Sequence, residues 1–252
     1  MTFSANPPAV LVFAGLDPGG GAGLAADILA IAAQGAHALP VATALTAQDN
    51  NRVFGAMPVA GHLIVEQAKP LLEAFEIAAV KIGIPGNGDN AATVAEIVRS
   101  LRAHRPDLPV VLDPVLFSGH GYALGQGDAI AAVRALLPLA TIALPNLHEA
   151  AQLGQMDCEN VMVTGGDADG EIVHNTWLRR GETVRSWRWP KLQSTYHGSG
   201  CTLAAAVVAR LALGQELEQA LDGAQAYTYR ALVESFALAP GQRIPRRILQ
   251  ST

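Results

Sequence analysis

Residues 9–23 read Ala9-Val10-Leu11-Val12-Phe13-Ala14-Gly15-Leu16-Asp17-Pro18-Gly19-Gly20-Gly21-Ala22-Gly23, and this stretch decides the fold. Its first six residues form an unbroken apolar run with the length of a buried strand. The glycine-rich loop that follows leads into a helical pattern that ends near Gln34. A strand, a glycine loop and a helix in this order predict an α/β fold built on a parallel sheet.

The rest of the chain repeats this alternation. Further strands are predicted at 39–45, 78–83, 109–112, 141–144 and 161–164, and further helices at 62–75, 90–104, 127–137, 147–153, 202–213 and 216–235. Residues 171–178 and 182–189 flank Arg179-Arg180-Gly181 and predict a short antiparallel hairpin at the edge of the sheet. Because the chain shows no repeat, low-complexity segment or linker, we expect residues 1–252 to form one domain.

Composition narrows the class of protein. Half of the 252 residues are apolar and 15% are charged, which implies a large buried core. The formal net charge of −5 offers no attraction to nucleic acid or to an anionic membrane. The N-terminus lacks basic residues, and the first apolar run ends at Asp17, too early to span a bilayer. We expect a soluble protein with neither a nucleic-acid partner nor a membrane anchor.

The two cysteines bear on the cellular location of the protein. Cys158 and Cys201 are far apart and form no CxxC pair, which argues against a disulfide framework and favours the reducing cytoplasm.

The basic residues at 243–247 are interpreted as a solvated end of the chain rather than a binding patch.

A second glycine-rich stretch reads Thr195-Tyr196-His197-Gly198-Ser199-Gly200-Cys201-Thr202-Leu203 and runs into a predicted buried helix. The first backbone N–H groups of such a helix lack partners and carry partial positive charge, so Gly198, Ser199 and Gly200 predict a phosphate site. Cys201 lies in the same turn, where the field favours a thiolate that can accept a proton. The alternative is a tight loop before a core helix, with Cys201 as a small buried hydrophobe.

Polar residues follow most of the predicted strands: Asp17, Gln48, Lys81, Asp113, Asn146 and the pair Gly165-Gly166. Ligands of an open parallel sheet bind beyond the carboxyl ends of its strands. We therefore expect these residues to converge on one site at that edge.

Several common motifs do not account for this pattern. The sequence Gly21-x-Gly23-x-x-Ala26 formally fits the dinucleotide motif, but no carboxylate stands about twenty residues further on at the end of a second strand. Zinc-hydrolase histidine spacing, the P-loop pattern and the hydrolase nucleophile elbow are absent from the sequence.

Phosphoryl transfer fits the remaining residues better. It requires a phosphate site, a metal and an acceptor for the alcohol proton. Asp113 and Glu149 can hold Mg²⁺ directly or through water. Taken singly, Asp113 could equally be a surface cap and Glu149 part of a solvated helix face.

Six blocks together resemble the hydroxymethylpyrimidine/phosphomethylpyrimidine kinase family of thiamine biosynthesis. In chain order they are Ala14-Gly15-x-Asp17-Pro18-x-Gly20-Gly21-Ala22-Gly23-x-x-Ala26-Asp27, Thr43-Ala44-Leu45-Thr46-Ala47-Gln48, Lys81-Ile82-Gly83, Asp113-Pro114-Val115, Pro145-Asn146-Leu147-x-Glu149-Ala150 and His197-Gly198-Ser199-Gly200-Cys201-Thr202-Leu203. The resemblance spans about residues 10 to 215. It implies a ribokinase-like fold, with a mainly parallel central sheet flanked by helices on both faces.

The resemblance also implies an activity. ATP with Mg²⁺ would phosphorylate the alcohol of 4-amino-5-hydroxymethyl-2-methylpyrimidine, then convert the monophosphate to the diphosphate. The family is commonly dimeric, which implies a homodimer.

The resemblance assigns residues to each role. Asp27 and Gln48 would bind the aminopyrimidine edge and the hydroxymethyl group, and Ala22, Thr46 and Ile84 would line the ring pocket. The catalytic residue would be Cys201. Residues that contact the nucleotide or its phosphates would be Asn146, Gly165, Gly166, Gly198, Ser199 and Gly200, with Asp113 and Glu149 serving the metal.

Some positions depart from the family pattern. Thr164 stands where the family has a lysine, which removes a positive charge expected near the phosphates, and Leu16 replaces a serine or threonine. Two alternatives stay open: a pyridoxal or pyridoxine kinase, which shares the fold and can use the same cysteine, and a non-catalytic pyrimidine-binding sensor. The glycine-rich residues 117–124 would permit a lid over the site or a mobile turn.

Overall fold

A computed structural model of the protein describes residues 6–116 and 127–249, so the candidate lid at 117–124 lies outside the described residues. The strands are β1 (Ala9–Leu16), β2 (His37–Gln48), β3 (Val53–Pro58), β4 (Ile77–Ile82), β5 (Val110–Leu112), β6 (Ile142–Ala143), β7 (Asn160–Val163), β8 (Ile172–Arg179) and β9 (Glu182–Pro190). The helices are α1 (Gly23–Ala33), α2 (Gly61–Ala74), α3 (Gly88–His104), α4 (Ala129–Leu136), α5 (Leu147–Leu153), α6 (Ser199–Ala212) and α7 (Leu217–Val233), and a 3-10 turn covers Leu137–Leu139.

All the strands belong to one sheet in the order β3-β2-β1-β4-β5-β6-β7-β8-β9. The six central strands from β2 to β7 are parallel, whereas β3 pairs antiparallel at one edge and β8 and β9 at the other. The predicted hairpin is confirmed. Its two-residue turn, Arg180-Gly181, has positive φ at both positions, as the tight turn of a hairpin requires.

The other edge differs from the prediction. Strand β2 extends to Gln48 because its last residues pair with β3, where Thr46 lies opposite Ala56 and Gln48 opposite Val53. The sequence analysis did not predict β3. Its six residues include Gly55 and Pro58, which weaken a strand signal and which an edge strand tolerates.

Helices cover both faces of the sheet, as the resemblance implied. In β1, Leu11 and Phe13 pack with α2, α3 and α4, whereas Val10 and Val12 pack with α1, α6 and α7. All four side chains are fully buried, which explains the continuous apolar run. Within residues 6–116 and 127–249, no helix combines the length and hydropathy that crossing a bilayer requires.

Candidate active site

A cleft of about 860 Å³ lies at the carboxyl ends of the parallel strands. It collects most of the residues that the sequence analysis nominated: Ala22, Thr46, Gln48, Ile84, Asp113, Asn146, Glu149, Gly166, Gly198, Ser199, Gly200 and Cys201. Asp27 and Gly165 are the two nominated residues that do not line it. Of the residues that follow predicted strands, Gln48, Lys81, Asp113, Asn146 and Gly166 line this cleft, whereas Asp17 and Gly165 do not.

Two glycine-rich loops meet in the middle of the cleft. The first glycine loop, residues 17–23, joins β1 to α1, and the second glycine loop, residues 197–201, opens α6. Gly198 caps α6 in the left-handed conformation, with φ of 75°. A Cβ at Gly198 would overlap the Gly21 carbonyl oxygen, and a Cβ at Gly21 would overlap the His197 ring. The glycines thus allow a backbone approach that no larger residue permits.

Helix α6 begins at Ser199, three residues before the predicted start. Within the described residues, no protein atom accepts a hydrogen bond from the backbone amides of Ser199, Gly200 and Cys201. We refer to these three amides as the phosphate cradle. The dipole of a 14-residue helix adds partial positive charge at this point, so the cradle suits an anion.

The first glycine loop is arranged differently, because Asp17 fills it. The Asp17 carboxylate accepts hydrogen bonds from three loop amides, those of Gly19 at 2.8 Å, Gly21 at 3.0 Å and Ala22 at 2.8 Å. His197 Nε2 lies 2.8 Å from Asp17 Oδ2. Burial opposes the charge on Asp17, but the hydrogen bonds from His197, Gly19 and Ala22 outweigh it and lower the pKa.

An ionic cluster lies beneath the cleft floor. Lys81 Nζ contacts both Asp27 oxygens, at 2.8 and 2.9 Å, and lies 3.6 Å from Asp113 Oδ2. Burial raises the pKa of Asp27 to about 6, which still leaves it ionised at neutral pH. Burial also opposes the charge on Lys81, but Asp27 outweighs this and raises the Lys81 pKa. Asp27 is therefore fully buried behind Lys81, and the structure does not bring it to the cleft wall.

The two nominated metal residues are both buried, so their alternative roles as surface groups are wrong. Among the described residues, no donor forms a hydrogen bond to the buried Asp113 Oδ2, although Lys81 Nζ lies 3.6 Å away as an ion pair. Glu149 forms a capping box with Asn146: the Asn146 side chain accepts from the Glu149 amide at 2.8 Å, and Glu149 Oε2 accepts from the Asn146 amide at 3.0 Å. Burial, followed by the Asp113 charge, raises the pKa of Glu149 to about 8.

These carboxylates fit Mg²⁺ in one particular manner. Among the described residues, no group of three or more His, Cys, Asp or Glu side chains could form a complete cation site. Magnesium is usually held by one or two carboxylates together with water and substrate phosphates. Asp113 Oδ2 accepts no hydrogen bond within the described residues, and the Asp113 charge contributes to the raised pKa of Glu149, so the two carboxylates match that arrangement.

Cys201 lines the cleft next to the phosphate cradle, but its thiol differs from the expectation. Burial, followed by the Asp113 charge, raises the pKa of Cys201 to about 12, although Lys81 and a hydrogen bond from the Gly23 amide act in the opposite direction. The helix field alone favours a thiolate at this position. Burial and then the nearby carboxylates reverse that preference in the free protein.

The far end of the cleft contains residues that the sequence analysis missed. The Asn175 side chain accepts from the Gly165 amide at 3.0 Å and donates to Gln225 Oε1 at 2.8 Å, and Trp189 Nε1 also donates to Gln225 Oε1, at 3.2 Å. The Gly165 amide is therefore hydrogen-bonded within the protein, whereas Gly166 lines the cleft. The signal available in the sequence was a side-chain amide in a predicted strand, Asn175, together with one in a predicted helix, Gln225.

Solved structures define the class of protein. The chain superimposes on an ADP complex of a pyridoxal kinase from Bacillus subtilis with a TM-score of 0.84 and 27% identity, covering 96% of this chain and 98% of that one. It matches a phosphomethylpyrimidine kinase from Clostridium difficile with a TM-score of 0.72 and 30% identity, covering 89% and 99% of the two chains. The fold is that of a ribokinase-like small-molecule kinase.

Sequence comparison then gives the family. A family model described as phosphomethylpyrimidine kinase matches residues 17–158 and 152–245. A hydroxymethylpyrimidine/phosphomethylpyrimidine kinase from Streptomyces coelicolor is 36% identical over 256 residues, which cover 94% of this chain and 93% of the relative. The chain belongs to the phosphomethylpyrimidine kinase family, and the resemblance found in its sequence is confirmed.

Proposed function

We propose that this protein is an ATP-dependent kinase that phosphorylates 4-amino-5-hydroxymethyl-2-methylpyrimidine, its monophosphate or both, in thiamine biosynthesis. One observation carries the proposal: the phosphate cradle, Cys201 and Asp113, whose buried Oδ2 accepts no hydrogen bond within the described residues, belong to the same cleft as Gln48 and Thr46. A nucleotide phosphate site, a proton acceptor and a ring pocket are the parts that this transfer needs. The names of its relatives support the pyrimidine as acceptor.

The acceptor end of the cleft suits a small polar ring. Gln48 can donate to and accept from an aminopyrimidine edge, and Ala22 and Ile84 supply apolar walls. The Thr46 hydroxyl already donates to the Leu16 carbonyl at 2.9 Å, so we expect Thr46 to shape the ring pocket rather than to donate a hydrogen bond to the ring. Asp27 would act indirectly, by holding Lys81 in place.

The nucleotide would occupy the rest of the cleft. The cradle amides and Gly166 would contact its phosphates, with Asn146 ordering the loop at the start of α5. Asp113 and Glu149 would hold Mg²⁺, which when bound supplies charge neutralisation for the phosphates. Lys191 also lines the cleft, and its ammonium donates to the Ala168 carbonyl beside the Gly165-Gly166 turn. It offers a positive charge near the position where Thr164 replaces the family lysine.

Cys201 would accept the proton of the alcohol. Its raised pKa disfavours a thiolate in the free protein, while Lys81 and the start of α6 stabilise one. Since phosphoryl transfer depends chiefly on positioning and electrostatics, the cradle amides and Lys81 would contribute more than proton removal itself.

We also propose a cytoplasmic homodimer. Both described cysteines are free thiols, in keeping with a reducing compartment. Edge strand β3 exposes Phe54 and Met57, at 59% and 64%, beside the pocket residues of β2. Light scattering on the purified protein tests the dimer: a monomer at micromolar concentration would contradict it.

Pyridoxal kinase is the second candidate, because the superposition on the Bacillus subtilis enzyme has the higher TM-score of the two described above. ATP consumption should be measured with hydroxymethylpyrimidine, its monophosphate and pyridoxal side by side. We expect the highest kcat/KM with one of the two pyrimidines. Preference for pyridoxal would establish the second candidate, and no turnover with any of the three would favour a pyrimidine-binding sensor.

A further inference from the structure

The basic residues near the C-terminus are not a solvated end, so that interpretation was wrong. Residues 243–249, here called the C-terminal strap, return to the cleft and pair with the segment before α6. The Arg243 carbonyl accepts from the His197 amide, and the Arg243 amide donates to the Thr195 carbonyl, both at 2.9 Å. The strap is anchored on α7, where the Tyr227 hydroxyl donates to the Arg247 carbonyl at 2.7 Å.

Arg247 is the buried centre of this strap, with 2% of its surface exposed. Its Nη2 donates to the Gly21 carbonyl at 2.5 Å and lies 3.4 Å from the Gly198 carbonyl, while its Nε donates to Thr202 Oγ1 at 2.9 Å. The Thr202 hydroxyl in turn donates to the Gly198 carbonyl at 2.7 Å. The Arg247 guanidinium thus contacts both glycine loops from outside the cleft.

The position of Arg247 indicates its role. Arg247 does not line the cleft, so it can hold the two glycine loops in place but is not positioned to contact a ligand. Burying a guanidinium costs free energy that an apolar side chain would not, and a lysine cannot supply the two nitrogens, Nε and Nη2, that donate to Thr202 and to the loop carbonyls in a fixed geometry. The two carbonyls, of Gly21 and Gly198, lie where the ring pocket, through Ala22, meets the phosphate cradle.

We propose that Arg247 is a positioning residue of the kinase: it fixes the distance between the ring pocket on the first glycine loop and the phosphate cradle on the second. This inference rests on the proposed function. Loss of the guanidinium should leave each substrate bound but misalign the acceptor hydroxyl and the phosphate. A misplacement of about 1 Å can reduce turnover about 10²-fold.

The test compares Arg247→Ala, Arg247→Lys and the control Arg246→Ala. Arg246 is exposed, and the polar and ring contacts of its side chain within the described residues are with the Glu234 carbonyl and the Phe236 ring. At a temperature where all variants are folded, we expect kcat to fall about 10²-fold in Arg247→Ala and about 10-fold in Arg247→Lys, with dissociation constants for pyrimidine and an ATP analogue nearly unchanged. Added methylguanidinium should restore part of the activity of Arg247→Ala only.

The outcomes separate the inference from the function on which it rests. Wild-type kcat in Arg247→Lys, or in folded Arg247→Ala, would overturn the inference. If Arg247→Ala fails to fold, Arg247→Lys decides the matter. If the wild-type protein is inactive with every acceptor, the proposed function fails. The inference is then decided by amide hydrogen exchange without ligand: faster exchange at 198–202 in Arg247→Ala, but not in Arg246→Ala, supports it, and unchanged exchange overturns it.

Discussion

The two glycine loops of the cleft each lead into a helix, yet they differ in how the described residues use their backbone amides. In the first glycine loop, the Asp17 carboxylate accepts from three backbone amides. In the second glycine loop, no acceptor within the described residues faces the three amides at the start of α6. A glycine-rich turn before a helix therefore does not by itself identify a phosphate site. Such a turn is available to a phosphate when no carboxylate of the protein already accepts hydrogen bonds from its backbone amides.

The largest effect should come from the side chain that only the second loop carries. Cys201→Ala should reduce kcat about 10²–10⁴-fold, because the alcohol proton loses its acceptor, while pyrimidine affinity is largely kept. Steady-state kinetics with a binding titration would show this. Cys158→Ala, a change to the other free cysteine, is the matched control. Turnover of Cys201→Ala near the wild-type rate would remove this cysteine from the mechanism.

Placing a carboxylate in the second loop should make it resemble the first. Ser199→Asp puts a negative charge at the start of α6, where it should weaken ATP binding about 10²-fold while adding about 0.3–1 kcal/mol to stability through the helix dipole. Titration calorimetry and thermal unfolding measure the two effects. Ser199→Asn keeps the size without the charge and should lose far less affinity. An ATP affinity that Ser199→Asp leaves intact would place the phosphates elsewhere.

Removing the charge from the first loop should affect stability more than binding. Asp17→Asn should cost about 2–3 kcal/mol, because buried amides lose a charged acceptor. Because the pKa of Asp17 is lowered in the folded protein, its contribution is present above the unfolded value of 3.8 and disappears as pH falls further. Denaturant unfolding at pH 7 and pH 3 should show a smaller difference at pH 3. Asp169→Asn, at an exposed position, should change neither value.

The pocket beyond the first loop should show a more modest effect. Gln48→Ala should leave a polar edge of the bound pyrimidine unpaired and cost about 1–3 kcal/mol of affinity. Fluorescence or calorimetric titration with the pyrimidine alcohol measures this. ATP-analogue affinity serves as the internal control, since Gln48 lies at the acceptor end. Pyrimidine affinity equal to that of the wild type would mean that the ring binds in another place.

Glu149 offers a pH-dependent contrast with Asp17, because its pKa is raised to about 8 from an unfolded value of 4.5. The folded protein retains a proton there that the unfolded chain releases, so this group lowers stability as pH rises from about 4.5 to 8. Glu149→Gln should flatten that decline, and unfolding free energies at pH 5 and pH 8 would reveal it. Glu73→Gln, on an exposed helix surface, should leave the slope unchanged.

Much of the fold was predictable because its signals are local. The apolar run of β1, the glycines after it and the alanine-rich α6 each have a period or composition that implies one structure, and the hairpin at Arg180-Gly181 was found for the same reason. Strand β3 was missed because an exposed edge strand with a glycine and a proline lacks the alternation of a half-buried strand.

The site was predictable only in part. Residues directly after strands were found because topology brings the ends of parallel strands together. The role of Asp17 was not, although its amide donors lie only two to five residues away, because the conformation of the loop decides whether they reach the carboxylate. The role of Arg247 depends on a contact between positions 226 residues apart in the chain. The raised pKa of Cys201 was missed for a similar reason, because burial and the Asp113 charge come from the folded protein rather than from the local helix.

The difference between the two glycine loops can be measured by amide NMR during titration with a non-hydrolysable ATP analogue. We expect the resonances of Ser199, Gly200 and Cys201 to shift and saturate with the analogue, while those of Gly19 and Gly21 move little because Asp17 already accepts hydrogen bonds from these amides. Large shifts in the first glycine loop, with the start of α6 unmoved, would contradict this expectation.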